Sequence, residues 1–471
     1  MRPLLAKGIA ALRRHGLRLA VVGLGASLVA AVALVASFYI VPLPERLAAD
    51  PSPVVTWRDG SPAHVFLAPD ERWRMQVSPS DVDPAYVDAL LRLEDKRFRQ
   101  HVGVDPVAIG RAAGLNLSRG RVVSGGSTLT MQLVRVLEPR PRTLFSKAVE
   151  SWRAVQLEWF LSKDEILAGY LTFTPYGRNV EGVEAASWAY FGHGSDALSG
   201  AEISTLLAVP QAPTARYPAA RNVERLRAGR DRVATFLASE GALPLGAGES
   251  LIDSDAALAM TKASAVPSEL KPFPREVPSV ARWLHQRYPD LPRVVSTLDR
   301  NRQRSVERQM WRRHGPLTRQ GIDQGVAVVA DHKTGEVVAL VGSLDPWGKA
   351  SGDQVPMFAR PRSPGSALKP FLYAQSIDMG LALPDHLVQD MPASYRGYAP
   401  RNYDGTYDGL VRLDDALSRS LNLPFVFLAK EIGVERFLGQ LRMMGVESLV
   451  DEPGWYGLSV AVGGVEVTPL E

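Results

Sequence analysis

The 471-residue sequence contains no cysteine. Disulfides, thiolate metal sites and a cysteine nucleophile are excluded together. There is also no basic block interleaved with aromatics. Lys and Arg number 54 against 50 Asp and Glu, and the net charge of +4 is spread along the chain, so nucleic acid is not an expected partner. No internal repeat and no low-complexity tract occurs, which excludes solenoids and fibrous folds. The glycine-rich turn near residue 125 lacks the Gly-Lys-Ser/Thr ending of a nucleotide loop, so ATP is not implied. What remains is a chain long enough for two or three domains. Its 46% hydrophobic and 22% charged residues are those of a globular protein with a membrane contribution.

Two further absences locate that contribution. Residues 1–18 carry Arg2, Lys7, Arg13, Arg14 and Arg18 but no acid, and residues 19–41 carry no charge at all. Such a run is about 35 Å long as a helix, enough to span a bilayer. The basic flank predicts a cytoplasmic N-terminus, with the bulk of the chain on the periplasmic or extracytoplasmic side. A cleaved signal peptide is the rival reading, because Ala31, Ala33, Ala36 and Ser37 offer small residues. The apolar run exceeds the usual length of a signal-peptide core, which favours an uncleaved anchor.

The remainder divides by composition. Residues 42–79 hold Pro42, Pro44, Pro51, Pro53, Pro62, Pro69 and Pro79 and read as a stalk with short strands. Residues 80–242 are patterned as helix almost throughout, and Ser199-x-x-Glu202 is a capping box. Residues 243–294, rich in Pro, Ala and Gly, read as a linker. Residues 295–471 change character: β-branched runs at Gly325–Ala330 and Val337–Gly342 flank Asp331-H-K-T-G, a hairpin by its turn residues, and helical segments follow.

Within the helical region, Asp83-Pro84 is a helix start. Projected at 100° per residue, Val87, Leu90, Leu91 and Phe98 form one stripe with Glu94 in its middle, while Asp88, Arg92 and Lys96 face away. A carboxylate on a burying face is costly unless it is paired or working. Burial disfavours its charged form, which suits a general base or acid; a structural ion pair is the bland alternative. Next, Ser124-G-G-S-T precedes a helical run, an arrangement that leaves backbone N–H groups over Gly125–Thr128 to meet an anion or merely caps a helix. Finally Glu150, Ala154, Leu157 and Leu161 share a face, with Lys147 one turn earlier; a surface Lys–Glu pair is the default for one such instance.

Taken together, Glu94-D-K-R-F-R-Q-H-V-G-V-D, Gly125-G-S-T-L-T-M-Q, and Lys147-A-V-E with Tyr190-F-G resemble the leading motifs of the peptidoglycan glycosyltransferase domain of class A penicillin-binding proteins. Met131 before Gln132 and the phrase Trp152-R-A-V-Q-L-E-W resemble the 1C type. The resemblance implies a mostly α, lysozyme-like domain that polymerises lipid II into glycan strands by inverting transfer. It assigns Glu94 as the base for the acceptor's 4-hydroxyl and puts Glu150 near the donor pyrophosphate. Lys147, Arg135 and Arg142 would offset leaving-group charge. Asp95, Phe98, His101, Gly126, Ser127, Thr128 and Gln132 would shape the cleft. The resemblance leaves open a divalent cation, magnesium or manganese, at the pyrophosphate; no other cofactor is expected, and from residues alone the metal question stays unknown. Two departures stand out: Ser146 where the family usually has a basic residue, and Met131 where it commonly has a second glutamine. Slower turnover, or dependence on a partner, is the expectation.

In the last region Ser366-A-L-K places a serine and a lysine three apart at a helix start, so that Lys369 is expected to reach the Ser366 hydroxyl. Ser420-L-N follows, with Ser420 and Asn422 expected to orient an acyl group and relay a proton. With Pro400-R-N-Y-D-G, this set is similar to the α/β (α+β) transpeptidase domain of the same family. The family's third element, Lys-Thr/Ser-Gly after the Ser-x-Asn motif, is expected beyond Glu471; Lys333-T-G precedes Ser366 and is a decoy. The domain is therefore expected to be partial and its D,D-transpeptidase inactive as given, with β-lactams as ligands only if it is completed. The expected partners are lipid II, the growing glycan chain, the cytoplasmic membrane and other wall-synthesis proteins. A non-catalytic scaffold and a lytic transglycosylase or muramidase are the alternatives.

Overall fold

The computed structural model describes residues 25, 28–29, 31–119, 126–243, 253–345, 355–395, 397–452 and 454–471. The chain forms two compact units: Met1–Val54 with Val65–Pro274, and Val55–His64 with Arg275–Glu471.

The first unit is built from helices: α1 (Pro84–Glu94), α2 (Pro106–Arg119), α3 (Leu129–Leu137), α4 (Leu144–Phe160), α5 (Lys163–Phe173), α6 (Val183–Tyr190), α7 (Gly200–Ala208), α8 (Pro213–Arg216), α9 (Val223–Ser239) and α10 (Ser254–Ala263). Local caps set most of their starts. Asp83 caps α1 through the Ala85 N–H, Thr128 caps α3, and Ser162 and Ser199 form reciprocal capping boxes with Glu165 and Glu202. The apolar faces meet in one core, in which Leu133, Ala154, Leu157, Ile166, Leu206 and Leu226 are fully buried. A two-stranded parallel pair, β3 (Trp73–Arg74) with β4 (Val180–Glu181), completes the unit.

Helical residues 31–40 end on α4. Trp152 Nε1 donates to Ser37 Oγ at 3.0 Å, Gln156 Nε2 donates to the carbonyls of Phe38 and Val41 at 3.0 and 2.6 Å, and Phe38 is buried. Among the described residues no helix is long and apolar enough to cross a membrane. Much of the expected span 19–41 lies outside them: residues 19–24, 26, 27 and 30 are not described.

The second unit has a three-stranded sheet in the order β2 (Pro62–Val65), β1 (Val54–Thr56), β5 (Arg293–Val295), and two antiparallel pairs. One is β6 (Ala327–Ala330) with β7 (Val337–Val341), joined through the Asp331–Gly335 turn, where Asp331 accepts from the Lys333 N–H. The other is β8 (Leu387–Asp390) with β9 (Gly409–Arg412). Its helices are α11 (Pro278–Arg287), α12 (Arg300–Thr318), α13 (Lys369–Asp378), α14 (Leu413–Ser418), α15 (Leu423–Ile432) and α16 (Val434–Met443). Helix α15 is the centre of this unit's larger core: Phe425, Val426, Leu428 and Ala429 are buried against Leu372, Phe437 and Val460.

Three expectations are corrected here. Residues 42–79 are not simply a stalk, because Val55–His64 groups with the second unit, where Ser296 N donates to the Thr56 carbonyl. Residues 243–294 are not simply a linker. Ala257, Val266 and Phe273 complete the first core, Arg230 donates to the carbonyls of Lys262 and Ser264, and the units divide between Pro274 and Arg275. Proline content hid these helices; Pro278 merely opens α11, where a missing N–H costs nothing. Third, Phe98 is not on the stripe of α1. The helix ends at Glu94, and Asp95 leaves it with φ −159°. The buried face is Tyr86, Ala89 and Leu90, with Val87, Leu91 and Leu93 packed at its margin.

Candidate active sites

Glu94, the last residue of α1, is half-buried. Gln132, on α3, donates from Nε2 to Glu94 Oε2 at 2.9 Å. Gln211, in the turn before α8, places its Nε2 at 3.5 Å from Oε1. Behind the carboxylate lie tyrosines. Tyr86 and Tyr170 are buried, and burial first, then the charge of Glu94, pushes both phenols above their usual range. Tyr86 shares a 2.8 Å hydrogen bond with the hydroxyl of Tyr176.

Asp95 and His101 form a second, fully buried pair. The Gly103 N–H donates to His101 Nδ1 at 3.2 Å, so the ring proton sits on Nε2, which donates to Asp95 Oδ2 at 2.9 Å. The same oxygen accepts from the Leu129 N–H at 2.9 Å. The anion that the N-terminus of α3 meets is thus the chain's own Asp95, and this long-range bond is why α1 stops where it does. Thr128 is buried too, donating to the Gly103 carbonyl at 2.6 Å and capping α3. Gly126 is a packing residue: a Cβ there would lie 2.8 Å from the Ile109 Cα. Gly125, expected in the cradle, lies outside the described residues, and Ser127 is half-buried. Phe98 is buried under the ammonium of Lys163, 4.5 Å from its ring centroid.

Glu150 on α4 is 4% exposed. Its partner is not Lys147 but Arg135, whose Nε and Nη2 bind its two oxygens at 2.9 and 2.7 Å. That bidentate pairing raises the Arg135 guanidinium further above its ordinary range. Lys147 and Arg142 stand exposed beside the exposed Leu144 and Phe145. Both Glu150 oxygens accept from Arg135. No group of three His, Cys, Asp or Glu able to hold a metal occurs among the described residues.

In the second unit Ser366 is exposed, in a 3-10 turn (Gly365–Leu368) that precedes α13. Lys369 is 1% exposed and turned elsewhere than expected. Its Nζ donates to the Ser420 carbonyl at 2.7 Å, to Asn422 Oδ1 at 2.7 Å and to Ser420 Oγ at 3.3 Å, rather than to Ser366. Two strong acceptors outcompete one hydroxyl. Burial brings the amine down to about 8. Ser420 is not on the helix but past its end, at φ +57°. Asn422 Nδ2 donates to the Arg401 carbonyl at 2.7 Å, and the Asn422 N–H donates to Asn402 Oδ1 at 2.8 Å. Gly463, at φ +94°, backs the serine turn so closely that a Cβ would meet the Gly365 Cα at 2.5 Å.

Residues 59–238 match the Transglycosylase family model and residues 325–471 match the penicillin binding protein transpeptidase domain. Penicillin-binding protein 1C of Escherichia coli is 37% identical over 88% of this chain and 52% of its own length. Penicillin-binding protein 1F of Bacillus subtilis is 31% identical over 84% of this chain and 56% of its own, and penicillin-binding protein 1B of Vibrio cholerae 31% over 82% and 50%. The chain belongs to the class A penicillin-binding proteins. It spans about half the length of the curated relatives it matches. As a class A penicillin-binding protein it has the two-domain, helix-rich fold, a glycosyltransferase followed by a transpeptidase region.

Sequence reasoning did not single out Gln211, Arg216, Tyr170 or Asn402. Only Asn402 left a signal, in the Pro400-R-N-Y-D-G phrase; the others reach the site from distant elements whose local sequence carries no chemical signature.

Proposed function

We propose that the first unit is a peptidoglycan glycosyltransferase that polymerises lipid II by inverting transfer. The observation that carries this reading is Glu94 at the end of α1, with an amide at each of its oxygens and, among the described residues, no cation paired to it, in a chain of this family. Amide donors fix the orientation of a carboxylate and leave it free of a neutralising cation, as suits a general base. In the step proposed, Glu94 takes the proton of the acceptor's 4-hydroxyl. The freed oxygen forms the new bond to the donor's anomeric carbon from the face opposite the lipid pyrophosphate, whose bond to that carbon breaks with its electron pair. Arg135, fixed by Glu150, and the exposed Lys147 and Arg142 meet the departing negative charge. Asp95 and His101 hold the turn after Glu94 in place.

We further propose that residues 19–41 anchor the chain in the cytoplasmic membrane, with the residues after 41 outside it. The uncharged run, and the docking of Ser37 and Phe38 on α4 among exposed apolar side chains, support this. In the second unit the proposed roles are Ser366 as acylated nucleophile and Lys369, with Ser420 and Asn422, as the proton-handling set that a β-lactam would meet. Detergent-solubilised chain incubated with lipid II tests the first reading: glycan strands should lengthen. Degradation of finished glycan without growth would identify a lytic enzyme instead, and neither reaction would leave a scaffold.

A further inference from the structure

Each amide that holds Glu94 is itself held. On one side Tyr170 Oη donates to Gln132 Oε1 at 3.4 Å, and Gln132 Nε2 donates to Glu94 Oε2 at 2.9 Å. On the other Arg216 Nη1 donates to Gln211 Oε1 at 3.3 Å, and Gln211 Nε2 faces Glu94 Oε1 at 3.5 Å. The arms differ in one respect. A phenol both gives and accepts hydrogen bonds, so Tyr170 alone does not decide which way Gln132 points. A guanidinium has donors only. The Gln211 carbonyl must therefore face Arg216, and its NH₂ must face Glu94.

Arg216 is placed for this and for little else. It ends α8, its Nη1 also donates to the Ala208 carbonyl at 2.6 Å, and among the described residues it pairs with no carboxylate. Its stem runs over Gly229, where a Cβ would come within 3.2 Å of its Cδ and Nε. The charged and titratable groups around Glu94 are Tyr86 on its own helix, Tyr170 on α5, the adjacent Asp95, and Arg216, which reaches it through Gln211.

We infer that Gln211 and Arg216 are positioning residues for Glu94: Arg216 locks the Gln211 amide in the orientation that donates to the Glu94 carboxylate. This rests on the glycosyltransferase reading of the first unit. A hydrogen bond donated to the ionised form of a carboxylate favours that form, so its loss should show on the acid limb of the pH profile, where a base must be unprotonated to act.

The test is the pH profile of lipid II polymerisation by the full chain and by Gln211→Leu, Arg216→Met and Arg216→Lys, with melting followed in parallel. In Gln211→Leu and Arg216→Met the acid limb should move up by roughly half a pH unit to one unit, slowing the reaction about 3- to 10-fold on that limb and little at the plateau. Arg216→Lys, which keeps a donor, should recover part of the shift. A rate lowered equally at every pH is what a structural role gives, and it overturns the inference. If Arg216→Met loses cooperative melting, the exposed Gln211 decides the matter. Isotope-edited infrared titration of the Glu94 carboxyl, its band assigned with Glu94→Gln, supplies a readout without turnover. A midpoint unmoved in Gln211→Leu overturns the inference by itself, whereas wild-type chain that titrates as expected but never lengthens glycan overturns the parent reading.

Discussion

In the first unit the candidate site groups are carboxylates tied to amides, an imidazole and a guanidinium. In the second, the equivalent work falls to a buried amine, brought down to about 8 and held by neutral oxygens. A carboxylate at the end of a helix keeps its charge if donors reach it. A lysine sealed beside Phe425 gives up part of its charge instead. The proposed base of the first unit is thus held by hydrogen-bond donors, and that of the second by burial.

Glu94→Gln is the largest way to probe that contrast. Polymerisation should fall by about 10²- to 10⁴-fold, the usual share of a general base, while Ser366→Ala leaves it unchanged. Equal losses in the two variants would mean that the sites are not separate machines. Next comes Arg135→Met, which strands the buried Glu150 carboxylate. Destabilisation of about 2 kcal/mol is expected after allowing for the partial exposure of Arg135, and Arg135→Met with Glu150→Met should melt higher than Arg135→Met alone. A double variant less stable than the single one would show that the pair is not an ion held by an ion.

For the second site, the probe is labelling of Ser366 by a fluorescent penicillin. What labelling there is should rise with pH through about 8 as Lys369 loses its proton, and a flat profile would remove Lys369 from the base role. The smallest effect concerns Asp105, which caps α2 through the N–H groups of Val107 and Ala108 and pairs with Arg97. The Arg97 hydrogen bond, first among its causes, holds this carboxyl down to about 2. A depressed value stabilises the fold above the unfolded carboxylate range, and the contribution disappears as pH falls towards about 2. Asp105→Asn should therefore lower the melting temperature at pH 7 and make little difference near pH 2.

Legibility follows distance along the chain. Asp83-Pro84 and Ser199-x-x-Glu202 are readable because a cap acts within one turn. The end of α1 is not, because Asp95 is recruited by the Leu129 N–H, 34 residues on. Glu150 is legible as an inward acid from its periodicity, yet its partner is not. Lys147 is a turn away in sequence, but Arg135 comes from the facing helix. Lys369 stands out in the sequence with the wrong neighbour, since Ser420 and Asn422 lie 51 and 53 residues further on. Gln211 is 117 residues from Glu94. No periodicity or motif in a single sequence reports such a meeting; the fold alone makes it.

The grouping of Val55–His64 with Arg275–Glu471 has a consequence for synthesis. Strands β1 and β2 leave the ribosome before α1–α10 of the first unit, yet β5, the strand that completes their sheet, begins at Arg293. At roughly 5–20 residues per second, the wait is on the order of 10–50 s. Throughout it a helical body some two hundred residues long can finish folding inside a loop whose two ends have not yet met. Cutting the polypeptide between Pro274 and Arg275 would make that wait permanent.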